Sequence, residues 1–289
     1  MGVLENKRAV ITGASRGFGL AVARAYLDEG ARVVLAGRSP ASLQDALARL
    51  SAPPGRALSC TCDVSQAEQV QALAEYACQE MGGFDIWVNN AALSAPFGPT
   101  LAVDPQEFNR VLQANIFGAY NGSRRALLHF LPHREGKLIN ILGRGDRGSQ
   151  PMQNAYASSK SWLVSFTQAL AAEYKGSGVG IYAFNPGMMH TELLTQVEVV
   201  SGFEARLSGF ENVVSMWAEP PEVPAQRMVW LASAATDDRS GLVVHQMTRR
   251  SMLTGAVRFL ANRLLGKQTS PISISLTSVP PAFVVEENH

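Results

Sequence analysis

Thr12-Gly13-Ala14-Ser15-Arg16-Gly17-Phe18-Gly19 decides the fold, because a β-branched run ends in it and an amphipathic helical pattern begins in it. Residues 8–12 read as a buried strand and residues 17–29 as a helix. Glycines at such a turn let backbone amides approach a pyrophosphate, and the helix N-terminus adds favourable partial charge. Gly13, Ser15, Arg16, Gly17, Phe18 and Gly19 are therefore candidate contacts for a dinucleotide.

Further along, strand-like runs at residues 32–36, 57–61, 85–88, 137–142, 180–184 and 242–245 alternate with helical patterns at 40–50, 66–80, 105–131 and 154–174. Strands separated by helices make βαβ units, whose right-handed crossovers cover both faces of a parallel sheet. The expected architecture is α/β, a doubly wound parallel seven-stranded sheet flanked by helices (the Rossmann fold). On this reading residues 1–247 are one nucleotide-binding and catalytic domain. Within it, residues 188–220 are rich in Met, Leu, Val and Phe but weakly patterned, as suits a substrate lid. Residues 248–289 form an extension. It starts as a helix with Leu253, Val257, Leu260 and Leu264 on one stripe and ends in a Ser/Thr/Pro-rich tail, either an extended arm or disordered.

Composition narrows the function by exclusion. The 289 residues hold 25 Lys+Arg and 24 Asp+Glu, a net charge of +1, so nothing in the balance invites nucleic acid. Hydrophobic residues at 46% against charged residues at 17% rule out wholesale disorder. Cys60, Cys62 and Cys78 lack the spacing of a metal site or a disulfide framework; they read as buried thiols of a reducing compartment, with no metal expected. No apolar run reaches the ~18 residues of a membrane span. Residues 1–8 carry charges where a signal peptide needs apolar residues, so a cytoplasmic location is expected. Residues 248–289 concentrate basic side chains, which suit packing between subunits better than a membrane surface.

The end of the second strand selects the dinucleotide. A site for NAD usually offers a carboxylate there to the ribose hydroxyls. This chain reads Ala36-Gly37-Arg38-Ser39, with Arg16 in the first loop expected nearby. Two guanidiniums and no carboxylate suit a 2′-phosphate, so NADP(H) is expected. Asp63 and Val64 end the third strand, and Asn90, Ala91 and Ala92 follow the fourth, all at the sheet edge where such ligands bind. Asp63 suits either the adenine amine or a helix cap.

Tyr156 and Lys160 stand four apart on a helical pattern and share a face. A phenol is a poor base at neutral pH, and a neighbouring Lys⁺ lowers its pKa by favouring the phenolate. Tyr156 is then suited to give a proton to a carbonyl oxygen while a nicotinamide delivers hydride to carbon.

Together these motifs resemble the short-chain dehydrogenase/reductase family. The resemblance runs over about residues 6–247, through residues 12–19, Asn89-Asn90-Ala91, Asn115, Tyr156-Ala-Ser-Ser-Lys160 and Pro186-Gly187 with Thr191. It implies cofactor contacts from Tyr156, Lys160, Pro186, Gly187, Met188 and Thr191, a proton-relay water held by Asn115, and a homodimer or homotetramer. It also implies a catalytic serine about 13 residues before the tyrosine, where this chain has Gly143. The donor is then replaced by Ser149, Arg144, an amide of the Gly-rich loop or a water. Otherwise the substrate polarises itself, or the protein binds dinucleotide without turnover as a regulatory or scaffold protein. The loop before Tyr156 and the stretch after Pro186 also resemble the chlorophyll b reductase branch. That resemblance implies a bulky apolar substrate with a conjugated carbonyl, facing Gly143, Arg144, Ser149, Met188 and Met189.

Overall fold

Apolar residues alternate across each strand so that every strand feeds two cores, which is why the chain stacks helices on both sides of one sheet. The computed structural model describes residues 2–148, 150–248, 252–255, 257, 259 and 273–282. Its main sheet has seven parallel strands: β1 (Arg8–Thr12), β2 (Arg32–Gly37), β3 (Ala57–Thr61), β4 (Ile86–Asn89), β5 (Gly136–Ile141), β6 (Val179–Asn185) and β8 (Val243–His245), in the order β3-β2-β1-β4-β5-β6-β8. The seven-stranded doubly wound sheet expected from the sequence is what forms. The order reverses between β1 and β4, and such a switch point opens a crevice at the strands' carboxyl ends.

On one face Ile11, Leu35, Val88 and Phe184 pack under α1 (Gly17–Asp28), α2 (Pro40–Leu50) and α9 (Glu222–Ala232). On the other, Val10, Val34, Trp87, Leu138 and Ile181 pack under α3 (Ala67–Met81), α5 (Gly118–His133) and α6 (Asn154–Glu173). Cys62 is buried, while Cys60 and Cys78 are half-buried free thiols; the sequence reading had all three buried. Burial raises the pKa of each thiol.

Three elements refine the pattern. The expected helix over 105–131 is α4 (Pro105–Leu112) and α5 joined by a π-helical turn, Gln113–Phe117, which contains Asn115. Such turns recur at functional sites. Residues 188–220, expected as a lid, are ordered into α7 (Glu192–Thr195), β7 (Gln196–Val200) and α8 (Phe210–Trp217). The tail is an extended arm where described: β9 (Ser275–Val279) pairs in parallel with β7. Of the amphipathic helix expected after residue 248, residues 252–255 are helical, while Leu260, Leu264 and all five of its basic residues lie outside the described residues.

Beneath the carboxyl edge lies a polar chain that the sequence did not reveal. Asn89 Nδ2 donates to Asn140 Oδ1 at 2.8 Å and to Ser123 Oγ at 3.0 Å, and Trp87 Nε1 donates to Asn89 Oδ1 at 2.8 Å. Asn140 Nδ2 donates to Thr167 Oγ1 at 2.9 Å. Each buried amide is satisfied, so β4, β5, α5 and α6 are held in one register directly below the site.

Candidate active site

A cleft of about 600 Å³ opens at the switch point. One end is a backbone cradle. Gly13 has φ +64°, and a β-carbon there would stand 2.7 Å from Ala91 Cα. At Gly19 a β-carbon would stand 2.5 Å from Gly13 O. Only glycine fits either place, and the result is an open row of amides at the start of α1. The loop is pinned to β4 by one side chain: Thr12 Oγ1 accepts from Asn90 N at 3.0 Å and Ala91 N at 3.1 Å. Asn90 Nδ2 in turn donates to Thr12 O at 2.9 Å and Gly13 O at 3.0 Å. This cradle suits a pyrophosphate.

Gly13, Ser15, Arg16, Gly17, Phe18, Gly19, Arg38, Val64, Asn90, Ala91 and Ala92 all line the cleft, as expected. Two expected members do not. Ser39 caps α2, its Oγ accepting from Ser42 N at 3.2 Å. Asp63 turns back on its own loop, its Oδ1 accepting from Ser65 N at 2.9 Å and Ser65 Oγ at 2.8 Å. Both short side chains satisfy local amides, the competing use of Ser and Asp at helix starts. Arg16 is ion-paired to Glu192 of the lid, so it spans the cleft instead of joining Arg38. Arg38 makes no ion pair among the described residues and is the cation at the β2 end.

At the other end stand Tyr156 and Lys160, on the first turns of α6. Lys160 is 3% exposed; its Nζ donates to Ile141 O at 2.9 Å and lies 5.5 Å from the Tyr156 ring centroid. Burial pulls Lys160 down to about 8, with the Asp146 charge opposing. Burial pushes Tyr156 up to about 12, with Asp146 adding to the rise. The expected lowering of the phenol by its lysine is thus not found: desolvation in this enclosure and the Asp146 charge both raise it. At neutral pH both groups hold their protons.

A β-carbon built on Gly143 would overlap Tyr156 Oη and come within 3.1 Å of Cζ. The phenol occupies the space a serine would need. The loop after β5 is anchored below by Asp146, a residue the sequence reading passed over. Its carboxylate, 6% exposed, pairs with His245 Nε2 at 2.9 Å and accepts from Asn185 Nδ2 at 2.8 Å. Asn185 Oδ1 accepts from Gly187 N at 2.9 Å, so this anchor reaches the Pro186-Gly187 segment. No spacing rule connects residues 146, 185 and 245; the topology brings three strand ends together. Arg144 lines the cleft, its Nε donating to Gln150 Oε1 at 2.9 Å, whereas Ser149 lies outside the described residues.

Asn115 is 2% exposed and does not line the cleft. Its Oδ1 accepts from Leu93 N at 2.8 Å, and its Nδ2 donates to Leu93 O and Ser159 Oγ, each at 3.0 Å. Its side chain therefore holds the loop after β4 against α6. Pro186, Gly187, Met188, Met189 and Thr191 do line the cleft, facing Leu93 and Phe97 across it.

Residues 7–199 match the short chain dehydrogenase family. The chain is 34% identical over 232 residues to 3beta-hydroxysteroid dehydrogenase 1 of Eggerthella lenta, covering 80% of this chain and 88% of that protein. It is 32% identical over 243 residues to the probable chlorophyll(ide) b reductase NYC1 of Oryza sativa subsp. japonica, covering 77% of this chain and 46% of that protein. It thus spans about half the length of that relative. A 3-ketoacyl-(acyl-carrier-protein) reductase from Brucella melitensis, solved with NADH, superposes with TM-score 0.76 at 29% identity, covering 86% of this chain and 99% of that one. This chain belongs to the short-chain dehydrogenase/reductase family, oxidoreductases acting on alcohol and carbonyl groups with a nucleotide cofactor.

Proposed function

We propose that the protein is an NADPH-dependent reductase of a carbonyl on a bulky apolar substrate, with Tyr156 as proton donor. The observation that carries this reading is a protonated phenol and a buried lysine sharing one cleft with a glycine cradle. Arg38 at the β2 end, with no carboxylate beside it in the cleft lining, favours the 2′-phosphate of NADP(H). When bound, the nicotinamide supplies hydride. Tyr156 Oη gives its proton to the substrate oxygen, and the charge on Lys160 stabilises the phenolate left behind. With no hydroxyl at position 143, Tyr156 is the principal hydrogen-bond donor to that oxygen, and the exposed guanidinium of Arg144 is the second. Met188, Met189, Leu193, Leu194 and Phe210 give the substrate an apolar wall.

The working unit on this reading is a cytoplasmic homodimer or homotetramer built on residues 1–247. Phe117 and Tyr120, half-exposed on the helices that carry Asn115, support such pairing, as does Trp162 stacked on Phe166 with ring centroids 4.5 Å apart. No helix among the described residues is long and apolar enough to cross a membrane. The alternative of a dinucleotide-binding protein without turnover is favoured by one observation, the glycine at 143. A panel of apolar aldehydes and ketones with NADPH decides between them. The wild type is expected to turn over at least one, and Tyr156→Phe to lose about 10²–10⁴-fold in kcat while still binding NADPH. No turnover across the panel establishes the binding protein instead.

A further inference from the structure

The substrate end of the cleft is walled by a small parallel strip that is separate from the main sheet. β7 is its middle strand. On one side Phe97 N donates to Glu198 O at 2.8 Å and Val200 N to Phe97 O at 2.9 Å; on the other side β9 pairs with it over five residues. The tail is tied down along its length. Ile274 N donates to Glu211 Oε1 at 3.4 Å, Ser201 N to Val279 O at 2.9 Å, and Ala282 N to Ala102 O at 3.0 Å. Residues 273–282 lie beyond residues 7–199, the stretch that matches the family.

In the register of the strip Glu198 stands opposite Thr277. Directly opposed residues project to the same face, and both of these line the cleft. The next residue, Ser278, turns to the other face, where its Oγ donates to Glu204 Oε1 at 2.7 Å. Glu198 makes no side-chain hydrogen bond or ion pair among the described residues. A free carboxylate and a hydroxyl thus stand together on a cleft whose lid lining is apolar at Met188, Met189, Leu193 and Leu194 and polar at Glu192 and Gln196. We infer that Glu198 and Thr277 form a polar subsite that takes a hydroxyl group carried by the apolar substrate away from its reacting carbonyl. The carboxylate accepts the substrate's O–H, and the threonine hydroxyl donates to its oxygen. The inference rests on the reductase reading for the identity of the ligand as substrate, but binding alone tests it.

The probes are a 3-ketosteroid with a hydroxyl on its far ring and the same ketosteroid without that hydroxyl. Affinity for each is measured by titration of the full chain with NADP⁺ present. The wild type is expected to bind the hydroxylated probe about tenfold to a hundredfold more tightly, the worth of one charge-assisted hydrogen bond. Glu198→Gln and Thr277→Val, both at exposed strand positions, are each expected to shrink that preference with affinity for the deoxy probe unchanged. Equal affinity for the two probes in the wild type overturns the inference, as does no measurable affinity for either, or a preference that survives both substitutions. Turnover of the same ketosteroids is read separately: preference without turnover sinks the reductase reading and leaves the subsite standing, and turnover without preference does the reverse.

Discussion

The Tyr156 hydroxyl lies against the α-carbon of Gly143, in the volume a side chain at position 143 would fill. The glycine is therefore a requirement of this tyrosine's position and not simply a lost donor. Gly143→Ala and Gly143→Ser are both expected to lower kcat about 10–100-fold by displacing the phenol, with cofactor affinity unchanged. Steady-state kinetics and a cofactor titration check this. A faster Gly143→Ser enzyme would show that the pocket has room for both groups.

Arg38 faces the cleft alone, while Arg16 is held by Glu192. Arg38→Asp is expected to swing the ratio of kcat/KM for NADPH over NADH by about 10–100-fold toward NADH, since it removes a phosphate partner and supplies a ribose acceptor. Kinetics with the two cofactors measure the ratio. A ratio that does not move would take Arg38 out of the phosphate site.

Protonation sets a third expectation. Below about pH 8 Lys160 carries its charge, and Tyr156, near 12, keeps its proton. The kcat/KM for reduction is expected to hold up to about pH 8 and fall above it as Lys160 discharges. The Asp146 charge raises the Lys160 pKa, so Asp146→Asn is expected to move this alkaline limb to lower pH. His245 and Asn185 also face Asp146, so a thermal melt of the variant separates loosening of the loop from the shift in the profile. A limb that stays in place would confine Asp146 to holding the loop.

The main sheet was legible because its strands and helices are punctuated locally: short β-branched runs alternate with amphipathic helical stretches, and the first turn between them is rich in glycine. The glycine cradle and the Tyr156–Lys160 pair were legible for the same reason, since four residues on a helix fix a shared face. What escaped depends on distant segments meeting. Asp146 lies in the loop after β5, Asn185 ends β6 and His245 ends β8, and nothing in their own neighbourhoods marks them. Position alone cannot say whether a short polar side chain faces a ligand or its own backbone: Ser39 caps α2, and Asp63, open to either the adenine amine or a helix cap, binds Ser65 in its own loop. The lysine neighbour alone points to a lowered Tyr156 pKa, whereas burial, which no local pattern reports, and the distant Asp146 raise it.

The pairing of β9 with β7 has a bearing on how the protein matures. It closes roughly eighty residues of chain, a costly loop that must form against its own entropy. The nucleotide cradle and the Tyr156–Lys160 pair belong to segments made earlier and can assemble before the tail leaves the ribosome. A chain arrested or clipped before residue 273 would therefore still carry the nucleotide cradle and the Tyr156–Lys160 pair but lack the β9 side of the cleft wall.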